Sequence, residues 1–94
     1  GTWTPDGTSN VYFITLDQDT TLAPITGLIG GGKAASVYIY VKQDTTGNRN
    51  FTTDGTYAVV DGELNKTAGS VTIYQVIYDG VSPVTDLFIA QRTA

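Results

Sequence analysis

Between residues 35 and 43 apolar and polar positions alternate, with Val37, Ile39 and Val41 on one parity and Tyr38, Tyr40 and Lys42 on the other. A period of two belongs to a pleated strand whose two faces meet different surroundings. The polar run Asp44-Thr45-Thr46-Gly47-Asn48 that follows supplies the residues of a tight turn. The same pattern predicts strands over 10–16, 21–23, 49–53, 57–60, 70–78 and 86–91, with 49–53 pairing back onto 35–43 across the turn. Residues 24–33 hold four glycines and are expected to form the longest loop, and Asp54-Gly55, Asp61-Gly62 and Asp79-Gly80 mark further turns. Residues 1–9, with Trp3, Pro5 and Asp6-Gly7, look like a lead-in arm or linker, and 10–94 like one domain. No segment sustains a 3.6-residue period. Six to eight short strands with turn signals every 8–12 residues predict an all-β domain, a small antiparallel β-sandwich or jelly-roll-like barrel.

Alternation also assigns faces. Val37, Ile39 and Val41 are expected in the core together with Val71, Ile73 and Ile77. Burying each is worth roughly 1.5–3 kcal/mol. The opposite face then carries Tyr38 and Tyr40 on one long strand and Tyr74 and Tyr78 on the other, with Tyr12 joining from the first strand. A tyrosine has a flat apolar ring and a polar tip, which suits packing between sheets or under loops, a subunit interface, or stacking on sugars. The pattern leaves all three uses open, so these five tyrosines are the candidate ligand-binding or interface residues.

Composition narrows the partners. Only 15% of the 94 residues are charged, against ~25% in ordinary domains, so the surface is polar chiefly by hydroxyl and amide. The net charge is −4 and the five basic residues are scattered, which argues against nucleic acid as a ligand. The apolar runs fall far short of the ~20 residues of a membrane helix, so no membrane insertion is expected. With no cysteine, stability has to come from packing. A first residue that is Gly rather than Met reads as a processed or excised piece of a longer polypeptide.

Catalytic chemistry has little to work with. The chain has no His and no Cys, the commonest general base and the strongest side-chain nucleophile. Gly30-Gly31-Gly32-Lys33 lacks the spacing and the helix of a phosphate loop. No enzyme activity and no cofactor are expected. Asp44 and Asn48 lack the spacing of an EF-hand, and Asp17 and Asp19 read as solvated turn residues rather than a metal or glycosidase pair.

Residues 10–90 resemble a β-domain module of tailed-phage virion appendage proteins. The likeness rests on the strand 11–16, the Thr20-Thr21-Leu22 step with Pro24 behind it, the glycine-rich link, and Lys42-Gln43-Asp44-Thr45-Thr46-Gly47-Asn48-Arg49. It continues through Thr67-Ala68-Gly69-Ser70-Val71 and Val76-Ile77-Tyr78-Asp79-Gly80, and Gly1-Thr2-Trp3-Thr4-Pro5 is similar to the lead-in of other phage fibre domains. Relatives often carry aromatic stretches where this chain reads Thr53-Asp54-Gly55-Thr56-Tyr57 and Val81-Ser82-Pro83-Val84, so loop-borne recognition surfaces are expected to differ. The motif residues Asp44, Gly47 and Arg49, with Gln43, are expected to be turn architecture rather than a binding site.

The resemblance implies a non-enzymatic module on the phage particle surface, extracellular, homo-trimeric at a fibre end and in contact with other virion proteins. Its expected role is that of a tail-fibre or receptor-binding module recognising host-surface polysaccharide. The alternatives are a capsid decoration or head-fibre protein and, third, a carbohydrate-binding module of a bacterial protein.

Overall fold

A computed structural model describes residues 1–25, 35–54, 57–78 and 85–92. The glycine-rich stretch 26–34 and the expected turns at Gly55 and at Asp79-Gly80 lie outside these residues. Eight strands and no helix occur among the described residues: β1 (Thr2–Trp3), β2 (Val11–Leu16), β3 (Thr20–Leu22), β4 (Ala35–Gln43), β5 (Phe51–Thr53), β6 (Tyr57–Asp61), β7 (Val71–Tyr78) and β8 (Thr85–Arg92). They form a three-stranded sheet in the order β1-β3-β5 and a five-stranded sheet in the order β2-β4-β7-β8-β6.

The all-β expectation holds, but the sheets are mixed. Antiparallel pairing joins β4 to β7 and β7 to β8, whereas β2–β4, β6–β8 and the whole small sheet are parallel. The segment after the 44–48 turn does not fold back on β4. Arg49 and Asn50 lie outside any strand, and Phe51–Thr53 pairs with β3 instead. Among the described strands, only β7 and β8 are both consecutive in the chain and hydrogen-bonded to each other. The lead-in is likewise built into the fold: Trp3 pairs with Leu22, and Pro5 is fully buried.

The core takes side chains from both sheets. Leu22 and Phe51 come from the small one; Leu16, Val37, Ile39, Val41, Tyr57, Tyr74, Val76 and Leu87 come from the large one. Two edge-to-face aromatic contacts link the sheets, Phe51 with Tyr74 at 5.1 Å between ring centroids and Trp3 with Tyr12 at 5.6 Å. Such pairs add roughly 0.5–1.5 kcal/mol beyond the area they bury.

One face assignment is overturned. On β7 the buried residues are Thr72, Tyr74, Val76 and Tyr78, while Val71, Ile73 and Ile77 are half-buried on the outer face. The β4–β7 register sets Tyr74 opposite Ile39 and Ile73 opposite Tyr40, and cross-strand partners share a face. The β4 assignment stands, with Val37, Ile39 and Val41 all buried.

Candidate functional site

The 44–48 turn is built by its own side chains. One Asp44 carboxylate oxygen accepts from the amides of Thr46 (3.1 Å) and Gly47 (2.9 Å), and the other accepts from the Arg49 guanidinium at 3.0 Å. Gly47 has φ +72°, and a Cβ there would lie 2.8 Å from the Ala68 amide nitrogen, so both conformation and space call for glycine. Asn48 follows with φ +58° and donates its amide to the Lys66 carbonyl at 2.8 Å. Buried Gln43 then closes the bend with both ends of its amide, donating to the Arg49 carbonyl (2.8 Å) and accepting from the Arg49 amide (3.0 Å). Gln43, Asp44, Gly47 and Arg49 thus act on one another. Asp19 is engaged as well, accepting from the Asn50 amide at 2.9 Å.

The Arg49 guanidinium, and after it the Gly47 amide, hold the Asp44 carboxyl below the usual carboxylate range. A lowered pKa in the folded state means stability that is present above the unfolded value, about 3.9, and is lost as pH falls through the folded value. Asp44→Asn is therefore expected to melt below the parent protein at pH 7, with the gap narrowing as the pH falls below the unfolded value of about 3.9. Thermal scans from about pH 2 to 7 check this, and parallel curves for the two proteins would refute it.

The five candidate tyrosines divide between two faces. Tyr74 and Tyr78 are 1% and 0% exposed, so their expected place on the outer face is corrected: both lie on the buried face of β7, and the Tyr74 ring packs on Phe51 of the small sheet. Tyr12 also turns inward, packing on Trp3, and its hydroxyl donates to Asp6 (3.2 Å) and accepts from the Gly7 amide (3.1 Å). Tyr38 and Tyr40 remain outside. Tyr40 stacks on Phe13 with centroids 6.3 Å apart, and the Tyr38 hydroxyl accepts from Gln75 at 3.2 Å. Phe13 is 62% exposed and Val11 54%, and Phe88 stands beyond Gln75 on the same face. With Ile73 and Ile77 half-buried among them, these residues form an apolar, aromatic sheet face that no described element covers.

A second feature escaped the pattern analysis. A cleft of about 520 Å³ opens where β5 faces the β6–β8 side of the large sheet. Phe51, Thr52 and Thr53 line one side, Val60, Leu87 and Ile89 the other, and Glu63, Leu64 and Lys66 border it. Tyr74 is part of its lining, and its hydroxyl is sealed from solvent with no hydrogen-bond partner among the described residues. Burial pushes that phenol well above its ordinary pKa. Nothing in the local pattern signals the cleft, because its residues come from four separated segments.

Residues 3–83 match the model of the family described as putative phage tail fibre C-terminal domain. The chain belongs to that family. No curated protein and no solved structure matches it. The match runs from Trp3 past the end of β7, so the self-bonded turn, Tyr38, Tyr40 and Tyr74 all lie within the tail fibre domain. Membership places the chain among virion-associated proteins and bears out the phage appendage resemblance.

Proposed function

We propose that this tail fibre domain is a non-enzymatic recognition module on the phage surface, working as a homo-trimer that engages host-surface polysaccharide. The two sheets act as a small β-sandwich frame. The observation that carries the reading is the bare apolar face of the five-stranded sheet, centred on Phe13, Tyr38 and Tyr40, in a chain of a tail fibre family. Contiguous exposed apolar surface of this kind marks interaction sites, and closed cyclic symmetry would bury it between sister subunits. A tail fibre family favours this placement over capsid decoration.

Sedimentation equilibrium should give a mass about threefold the 10.0 kDa of one chain, and Phe13→Asp should return it to a monomer. Binding of the trimer to a bacterial glycan array would support polysaccharide recognition. A parent protein that stays monomeric at high concentration removes the assembly, and an array with no signal removes the recognition.

A further inference from the structure

We propose that the trimer is joined by a β-ladder between subunits, in which the free edge of β2 pairs in parallel with β6 of a second copy. This rests on the trimer reading above and says how its interface is built.

The edge of β2 is open. The Tyr38 amide donates to the Asn10 carbonyl (2.9 Å) and the Asp44 amide to the Leu16 carbonyl (3.3 Å), so in this parallel ladder the even-numbered residues of β2 bond to β4. The N–H and C=O groups of Val11, Phe13 and Thr15 therefore point the other way, where no described strand pairs with them. All three residues are exposed. Edges of this kind are ordinarily blunted by charge, proline or a bulge. β2 reads Val-Tyr-Phe-Ile-Thr-Leu, without charge or proline, and its register with β4 is unbroken.

Burying the outer face about a three-fold axis takes this edge with it, because Val11 and Phe13 carry both the apolar side chains and the outward backbone groups. Buried backbone groups are almost always paired. Cyclic symmetry joins two different patches of the subunit, and β6 is the other border of the same sheet. The bulge in β6 lies at its start, between Tyr57 and Val59, which leaves its last residues free to pair. β2 and β4 run together, β7 opposes them, and β8 and β6 run with β2 again. Edge-to-edge closure sets the axis along the strands, and rotation about it preserves their direction, so the new ladder is parallel.

Charge sets its register. Lys42, beside Thr15, and Asp61, at the end of β6, are exposed on the outer face, and neither has an ion-pair partner among the described residues. With Asp61 of the partner subunit opposite Thr15, the two backbones stand about two strand spacings apart, roughly 10 Å, within reach of the two side chains.

The test is amide hydrogen exchange by NMR on the assembled full chain, with its mass followed by sedimentation. The expected result is a mass about threefold that of one chain, with exchange at Phe13 and Thr15 at least a hundredfold slower than in whichever of Phe13→Asp and Ile73→Asp is a folded monomer. Thr15→Pro removes one outward N–H and spares the β4 ladder, so it should keep the fold and weaken assembly at least tenfold. Lys42→Asp and Asp61→Lys should each weaken assembly at least fivefold, and the double exchange should restore it. A parent protein that stays monomeric overturns trimer and ladder together. A trimer with fast exchange at Phe13 and Thr15 overturns the ladder alone. A mass about twofold that of one chain means that β2 meets β2 and overturns β6 as its partner, and a double exchange no better than its singles overturns the register.

Discussion

Ile39→Asp is expected to abolish the cooperative thermal transition, while Ile73→Asp keeps it. Ile39 is wholly buried on the core face of β4, opposite Tyr12 on one neighbouring strand and Tyr74 on the other. A carboxylate at this 0% exposed position would be cut off from bulk solvent. Leaving it unpaired costs several kcal/mol, on the order of the whole stability of a domain this size, roughly 5–15 kcal/mol. Ile73 sits one residue from Tyr74 yet on the other face, where a carboxylate keeps much of its hydration. Its substitution should cost about 1 kcal/mol in the isolated chain and act chiefly on self-association. Circular dichroism melts and sedimentation of both variants decide the matter, and a non-cooperative Ile73→Asp would overturn the β7 register.

Gly62→Ala is expected to lower stability by roughly 2–4 kcal/mol, the sum of a strained backbone and an overpacked contact. Gly62 has φ +100°, and a Cβ on it would fall 2.2 Å from the Ile89 carbonyl oxygen. That oxygen is backbone of β8, so relief requires shifting the strand or tearing the end of the β6–β8 ladder. Gly69→Ala is the control. It too has positive φ, +76°, but nothing lies within 4 Å of the added carbon, so about 1 kcal/mol is expected. A fall in melting temperature of roughly 10–25 °C for Gly62→Ala against 4–8 °C for Gly69→Ala would be the signature. Equal effects would mean that the close approach to Ile89 does not exist in solution.

β4 was legible, because its polar parity carries Ser36 and Lys42 while the other reads Ala35, Val37, Ile39 and Val41 before ending on Gln43. β7 was not, because both parities are apolar: Val71, Ile73 and Ile77 on one, Tyr74, Val76 and Tyr78 on the other. Aliphatic character argued for the first set, yet the buried parity carries the two phenol rings, that of Tyr74 packing edge-on against Phe51 of the small sheet. Gln75 on the outer parity was the better guide. The turn role of Gln43, Asp44, Gly47 and Arg49 was visible in the motif, but the burial of the Gln43 amide was not, since its partners are backbone groups that come into reach only once the bend has formed. Parallel pairing was likewise out of reach: tight-turn residues suggest hairpins, and local composition says nothing about a strand whose neighbour is chosen from a distant segment. The cleft and its orphaned hydroxyl follow from that same long-range assembly.

With a single hydrogen-bonded pair of consecutive strands among those described, the fold offers few places where structure can begin cheaply. β7 and β8 meet after a short connection, but β2 waits for β4, and β6 can dock only after β8 has emerged and turned back. Each such meeting demands closure of a long loop before any contact rewards it, which puts this chain among slow, topology-limited folders. Until the last strand arrives, β6 has no partner and the free edge of β7 stays open, so a nascent copy is exposed to its neighbours for longer than a hairpin protein of equal length would be.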